Sequence, residues 1–589
     1  MPILKRFPMA AFQPLLLLIL TELVASHPII ITKYGRVRGR LMTVLDGQVQ
    51  VFLGIPYARP PTGSYRFLPP TPKPKWEHVL DAAALPNSCY QVRDTTFPGF
   101  EGAEMWNPNT PVSEDCLYLN VWAPVFKTPT PQRADRVPVL VWIYGGSFVS
   151  GTSTLDVYQG HFLCKSQKVV VVSMNYRLGP LGFLAIHGHK EIQGNQGLLD
   201  QRLALKWVVD NIAVFGGDPK KITLFGESAG AASVGFHLVS PGSQGLFQRA
   251  VMQSGVPNAA WAIANKTEIY DRAVGLAKLL GCPVDSSYRM GYCLQDASAE
   301  AIVNKQYENL VPPSVLSVPF VPNIDGDVIP SDIETLLKSS TLNKKELFIG
   351  LNKDEGTYFL FYGMPGFTRE GESFITRKNF MDGLPLALTN KSKLVKEAAI
   401  FDYTDWQDES DTRTNRDQMG RMVGDVLFNC PVMAFATKFA EHGGKTFFYF
   451  FDHVSSKNPW PKWAGVMHGY EIEFVFGMPL NTLLKYSEDE VTLAKTVMQH
   501  YGNFARTGNP GFRGGDWPLF TAKAQIYVAL HDDSKGIKSR FKANECYLWN
   551  NLMKEYQKLS DSLTQCTSSG IVHYNWVFPL ILLVISFTH

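Results

Sequence analysis

The most constraining pattern in the chain lies between residues 221 and 234, where a strand-like run meets a serine flanked by glycines and then a run of small residues. Lys221-Ile222-Thr223-Leu224-Phe225 is apolar and partly β-branched, as a buried strand is. Ala229-Gly230-Ala231-Ala232-Ser233-Val234 is suited to open a helix. Between them, Gly226-Glu227-Ser228-Ala229-Gly230 matches G-x-S-x-G, which holds a serine on a strained strand-to-helix turn with its hydroxyl exposed. Small neighbours allow the close backbone approach that such a turn requires.

The surrounding sequence agrees with this reading. Val139-Leu140-Val141-Trp142-Ile143-Tyr144 and Val169-Val170-Val171-Val172-Ser173-Met174 are continuously apolar rather than alternating, as strands covered on both faces are. Leu198 to Val209 has a helical period and precedes the serine-bearing strand. The order strand, helix, strand, turn, helix predicts an α/β fold with a mostly parallel central sheet flanked by helices. Residues 300–420, rich in Pro, Gly and short polar segments, read as insertions that cap the sheet and form a cleft. With 589 residues, 45% of them hydrophobic, the chain is long enough to bury one large core. The formal net charge of +3 comes without a long run of one sign, which argues against a nucleic-acid partner.

A serine hydroxyl attacks efficiently only when a base removes its proton and an acid orients that base. Where this elbow occurs, the order along the chain is Ser, then acid, then His. Leu347-Phe348-Ile349-Gly350-Leu351 reads as a buried strand, and the turn after it, Asn352 to Thr357, offers Asp354 and Glu355 without a choice between them. The downstream histidines are His442, His453, His468, His500 and His531, with His573 and His589 in the tail. His468 stands out because it joins a Trp/Pro loop to the apolar Phe474-Val475-Phe476. Acyl transfer also needs backbone N–H donors for the developing oxyanion. Tyr144-Gly145-Gly146-Ser147-Phe148 directly follows a strand, and its amides would join that of Ala229.

The two ends carry their own signals. Lys5 and Arg6, the apolar Leu15 to Leu20 and the small residues Val24-Ala25-Ser26 read as a secretory signal over residues 1–26. Thr567-Ser568-Ser569-Gly570 and the apolar run from Trp576 to Phe587 read as a glycosylphosphatidylinositol (GPI) anchor signal over 566–589, a retained tail helix being the rival. Residues 27–565 are then the folded body, secreted or held at the outer face of the cell membrane. Eight cysteines, and sequons at Asn265 and Asn390, fit an oxidising compartment. Cys282 and Cys293 flank a short segment as a looped bridge would.

Glu114-Asp115-Cys116-Leu117-Tyr118-Leu119-Asn120-Val121, Gly226 to Gly230, Asn352 to Thr357 and Trp463-Ala464-Gly465-Val466-Met467-His468-Gly469-Tyr470 follow one another in order. Through them the chain resembles the type-B carboxylesterases, and within these the vertebrate cholinesterases, over nearly its whole mature length. The resemblance implies an α/β-hydrolase fold with a gorge, and a catalytic triad of Ser228, Glu355 and His468. It implies an oxyanion hole made by the amides of Gly146, Ser147 and Ala229. It further implies bridges Cys89–Cys116, Cys282–Cys293 and Cys430–Cys546, an interchain Cys566 in a disulfide-linked homodimer, and Cys164 as a free core thiol. Trp106 stands where cholinesterases stack a quaternary ammonium, with Tyr358, Phe359 and Trp460 lining the same cage and Glu227 adding negative charge. A trimethylammonium donates no hydrogen bond, and an indole face attracts it by roughly 0.5–2 kcal/mol.

The resemblance also marks departures. Leu316 and Val318 replace two phenylalanines of acetylcholinesterases, as in butyrylcholinesterases, and leave room for longer acyl chains, with Trp261 as the back wall. Asp94 and Tyr362 are the implied peripheral residues at the mouth, where Val92 and Val149 stand in place of tyrosines. Ser147 occupies the position of a third glycine in the oxyanion loop, keeping the N–H but adding a Cβ and a hydroxyl. The implied activity is hydrolysis of acylcholines to choline and a carboxylate through an acyl-enzyme, with no metal or organic cofactor. A general carboxylesterase for neutral esters is the nearest alternative, against which Trp106, Asp94 and Tyr358 speak. A non-catalytic adhesion protein of the same fold is the other, and the complete triad speaks against it.

Overall fold

The continuous apolar runs form the middle of an eleven-stranded sheet. In the computed structural model, which describes residues 27–126, 131–338, 345–512, 517–531 and 536–568, the strands are β1 (Arg40–Val44), β2 (Gly47–Pro56), β3 (Tyr118–Pro124), β4 (Val137–Ile143), β5 (Val170–Met174) and β6 (Gly217–Glu227), followed by β7 (Arg249–Gln253), β8 (Glu346–Asn352), β9 (Lys445–Phe451), β10 (Ile526–Leu530) and β11 (Gly536–Ser539). Their spatial order is β11-β10-β9-β8-β7-β6-β4-β5-β3-β2-β1. Strands β4 to β10 run parallel, and the pairs at both edges are antiparallel. Every residue of β5 is buried, which explains why its sequence does not alternate.

Helices α1 (Gln196–Asn211), α2 (Ala229–Val239) and α3 (Glu488–Thr507) pack against this sheet. The start of α3 is set by a capping box in which Ser487 and Glu490 satisfy each other's backbone amides. In register, Phe225 of β6 pairs with Trp142 of β4 and Val251 of β7. Parallel strands bring their carboxyl ends to one rim, so the segments after β4, β6, β7 and β8 meet there.

The 300–420 stretch is irregular from 306 to 332 and then more regular than its composition suggests. Beyond β8 it folds into helices Arg377–Ala387, Lys393–Asp402 and Thr412–Gly424. The short polar segments supply N-caps: Thr376, Ser392 and Asp411 each accept a hydrogen bond from an amide of the first turn. A π-helical turn, Asp425–Asn429, leads into helix Cys430–Glu441.

Disulfides join Cys89 to Cys116, Cys282 to Cys293 and Cys430 to Cys546, while Cys164 is buried and free. Burial pushes the Cys164 thiol pKa up, so it stays protonated. Cys566 belongs to helix Met553–Ser568, and its side chain lies outside the described residues, as do the expected signal over 1–26 and the tail from 569 onward. Asn265 and Asn390 are exposed, and the Asn265 carboxamide caps helix Lys266–Leu279. Among the described residues no helix is long and apolar enough to cross a membrane.

The three bridges close loops of very different length, with separations of 116, 27 and 11 residues. In the chain-entropy account, the longest contributes about 5 kcal/mol and the shortest about 3 kcal/mol. Paired Cys→Ser replacement at Cys430 and Cys546 is expected to lower the unfolding midpoint more than replacement at Cys282 and Cys293. Chemical denaturation of the two variants side by side checks the order.

Candidate active site

Ser228 stands between β6 and α2 with φ 55° and ψ −122°, a conformation costing on the order of 1–3 kcal/mol for a residue with a side chain. Neighbouring backbone holds it there: Ser228 N donates to Gln253 O at 2.9 Å and Ala232 N donates to Ser228 O at 2.9 Å. The two glycines of the motif have a packing reason. A Cβ on Gly230 would stand 2.0 Å from the Ile143 carbonyl oxygen, and one on Gly226 would stand 2.6 Å from the Gly230 carbonyl carbon. Strand β4, strand β6 and helix α2 therefore touch through bare backbone.

The turn after β8 delivers the acid. Glu355 Oε2 lies 2.6 Å from His468 Nδ1, and its other oxygen accepts from Ser254 Oγ at 2.5 Å and from Asn352 N at 2.7 Å. Asp354 points elsewhere: its carboxylate accepts from Val466 N at 2.9 Å, and its own amide donates to Val466 O. It ties the acid's turn to the loop that carries His468. Ring contacts with Phe428 and Phe359 fix the imidazole plane, at centroid distances of 4.2 and 5.2 Å. No hydrogen bond joins His468 to Ser228 here; Nε2 lies 3.0 Å from Glu227 Oε1 without an aligned bond between them. Contacts of this kind are commonly loose before substrate binds and tighten in the reactive complex. Of the other downstream histidines, His453 sits beside Glu490 and His500 beside the Pro510 carbonyl.

Three supporting residues escaped the sequence reading. Glu471 is buried and accepts from Gln253 Nε2 at 2.9 Å and Asn352 Nδ2 at 2.6 Å, and that same amide donates to Met467 O. Ser254 and Asn352 are the others. For Ser254 and Asn352 the signal is a polar residue at the carboxyl end of an apolar strand, Ser254 just after Gln253 ends β7 and Asn352 closing β8.

The glycine loop after β4 comes up against the elbow. A Cβ on Gly145 would lie 2.7 Å from the Glu227 carbonyl oxygen and 2.9 Å from Ser228 Cβ. Gly146, Ser147 and Phe148 all have positive φ, of 106°, 54° and 63°. Among the described residues, no backbone or side-chain acceptor takes the amides of Gly146, Ser147 or Ala229.

A cavity of about 320 Å³ runs from Ser228, His468 and the oxyanion loop outward. Trp106 and Glu227 flank Gly469 on one side, where an added Cβ would lie 3.5 Å from the indole and 3.6 Å from the carboxylate. Leu316, Val318, Tyr358 and Phe359 also line the cavity. At the mouth, Tyr362 OH donates to Asp94 Oδ2 at 2.9 Å and shares a 3.0 Å hydrogen bond with Tyr358 OH, beside Val92 and Val149. Two tryptophans stand apart from the cavity expected of them. Trp460 is tucked behind Tyr358, stacked on Phe361 at 4.5 Å, with its N–H donating to Tyr470 OH at 2.6 Å. Trp261 donates its N–H to Leu427 O at 2.9 Å and faces a second cavity beyond the 315–318 loop. In each case the buried indole N–H has an acceptor, which helps to hold the ring where it lies.

The model of the carboxylesterase family matches residues 26–549. An acetylcholinesterase of Bungarus fasciatus is 46% identical over 537 residues, covering 91% of this chain and 88% of that protein. A cholinesterase of Mus musculus is 49% identical over 524 residues, covering 88% of this chain and 86% of that protein.

Three buried acids surround the imidazole. Burial raises the Glu227 pKa above the usual carboxylate range, with Glu471 and Glu355 adding to the shift and His468 opposing it. Burial alone lowers the His468 pKa, but the Glu227 charge and then Glu355 outweigh it, so the net shift is upward. The two shifts belong to one coupled pair, in which each anion favours the imidazolium. Replacing Glu227 with Gln removes the charge at constant shape, so the His468 pKa falls. The acidic limb of the pH profile for labelling of Ser228 by a fluorophosphonate is expected to move down by ~1–3 units. An unmoved limb would mean that Glu227 does not act on His468.

Proposed function

The chain belongs to the carboxylesterase family, and on that premise we propose that it is a serine carboxylic-ester hydrolase acting on choline esters. The observation that carries the substrate class is the pairing of Trp106 with Glu227 beside Gly469, in the cavity that Ser228 also lines. An indole face and a carboxylate attract a trimethylammonium without needing a hydrogen bond from it.

In the proposed reaction, Ser228 Oγ attacks the ester carbonyl carbon while His468 Nε2 takes the hydroxyl proton. Glu355 holds the imidazolium through Nδ1. The amides of Gly146, Ser147 and Ala229 donate to the tetrahedral oxyanion, a contribution of about 2.7–4 kcal/mol for each well-placed donor. Collapse breaks the carbon–oxygen bond to choline, which leaves with the proton from His468. Water then attacks the acyl-enzyme, His468 takes its proton and returns it to Ser228 Oγ, and the carboxylate departs. Tyr358 and Phe359 complete the cation cage, with Trp460 supporting Tyr358 from behind. Asp94 and Tyr362 form a peripheral site for incoming cations. Leu316 and Val318 open the acyl side to butyryl groups, each added methylene being worth about 0.8 kcal/mol. Extracellular attachment through a lipid anchor, glycans at Asn265 and Asn390 and a dimer linked through Cys566 complete the reading.

Acetylthiocholine and butyrylthiocholine are both expected to be hydrolysed, and Ser228→Ala to lose ~10³-fold or more in kcat. An isosteric neutral ester is expected to react up to ~30-fold more slowly, the effect of losing about 2 kcal/mol of cation–π attraction. Equal rates for charged and neutral esters would favour a general carboxylesterase instead.

Ser147 adds a side chain where the acyl carbon must approach. Ser147→Gly is expected to raise turnover of butyrylthiocholine, measured as kcat. An unchanged or lower kcat would show that the hydroxyl is harmless or useful.

A further inference from the structure

The loop that bounds the acyl side is a wall with a cavity on each face. Val315, Leu316 and Val318 line both the catalytic cavity and a second one of about 270 Å³. All three are half-buried, packed against the edge of the main core while keeping part of each aliphatic side chain accessible. Trp261 and Leu427 line the second cavity, joined by the hydrogen bond from the indole, and Val426 and Leu386 extend its apolar lining.

The wall is lightly tied. Val315 N donates to Leu386 O at 3.0 Å, and Pro319 O accepts from Arg272 at 2.9 Å. Between these two anchors, no backbone hydrogen bond holds residues 316–318 among the described residues. The remaining bonds of the loop are made by the hydroxyls of Ser314 and Ser317 and by Thr389 Oγ1, which donates to Pro313 O at 2.9 Å, and all are solvent-exposed. Moving Leu316 and Val318 therefore breaks no hydrogen bond of their own backbone, disturbs only the exposed bonds of the intervening Ser317 hydroxyl to Pro312 and Ser314, and transfers aliphatic surface from one largely apolar space to another.

Resting on the choline-ester reading, we propose that the second cavity receives the distal part of long acyl chains, so that octanoylcholine and decanoylcholine are substrates. A chain bonded to Ser228 Oγ that runs past Leu316 and Val318 reaches this wall, and the space behind it is already formed, its apolar lining of Trp261, Leu386, Val426 and Leu427 interrupted by Glu268, Arg272 and Lys391. Each further methylene taken from water increases kcat/KM about fourfold at most, less the cost of moving the wall.

The full chain is assayed with acetyl-, butyryl-, octanoyl- and decanoylthiocholine below their micelle-forming concentrations. Ala260→Trp and Ala260→Asp are the test variants, because Ala260 is exposed and lines the second cavity but not the first. The wild type is expected to keep or increase kcat/KM from butyryl to decanoyl. Both variants are expected to lower it for decanoyl by ~10-fold or more, the worth of about two buried methylenes, and to leave butyryl within about twofold. The butyryl rate reports that each variant is folded. A steep fall from butyryl to decanoyl in the wild type, or a decanoyl rate untouched by both variants, overturns the proposal. Failure of the wild type on butyrylthiocholine overturns the choline-ester reading itself, and this proposal with it.

Discussion

The active site hangs on a backbone contact. Helix α2 lies against the ends of β4 and β6 so closely that neither Gly226 nor Gly230 has space for a Cβ, and Gly255 presses on the Ser228 carbonyl in the same way. That contact forces the chain through a left-handed turn at Ser228, and the hydrogen bonds to Gln253 and from Ala232 lock the turn in place. It also draws Gly145 against Ser228, so the oxyanion loop inherits its position from the same packing. The strain at Ser228 is local, and the dense core beneath it offsets the cost.

Around this frame the sheet acts as an alignment device. Parallel strands β4, β6, β7 and β8 end on one rim, and each contributes one part: the amide loop, the serine, the Ser254 clamp and the acid's turn. The histidine arrives on a separate loop, and three fastenings secure it. Asp354 bonds to Val466, Asn352 bonds to Met467, and Glu471 bonds to both Asn352 and Gln253. Burying Glu227 and Glu471 close to the imidazole opposes their ionisation, and an imidazolium at His468 offsets part of that penalty for Glu227. The arrangement favours the charged histidine that acyl transfer generates, while Glu227 also faces the cavity where a cation would lie.

The capping insertions set what can enter. Helices built from the 377–441 region carry Phe428 onto His468 and Leu427 onto Trp261, so the aromatic support of the base and the far side of the acyl wall come from one short π-helical turn. A π-turn inserts an extra residue per turn, and such turns are frequent at functional sites.

Much of this arrangement is legible in the sequence. The elbow, the apolar strands beside it, helix Leu198 to Val209 and the order of serine, acid and histidine follow from periodicity and from the steric needs of one turn, which are local properties of the chain. The family resemblance added the pairing of cysteines and the choice of Glu355, which local pattern left open beside Asp354. Only tertiary structure decided which way adjacent side chains point: Glu355 toward His468, and Asp354 toward Val466. It alone drew Trp460 behind Tyr358 and turned Trp261 to a second cavity, where their indole N–H groups meet the Tyr470 hydroxyl and the Leu427 carbonyl. Ser254, Asn352 and Glu471 were hidden for the same reason, since their partners lie up to 218 residues away along the chain and are neighbours only in space. A sequence specifies conformations that one residue and its neighbours determine; directions set by distant hydrogen-bond partners exist only once the chain has closed on itself.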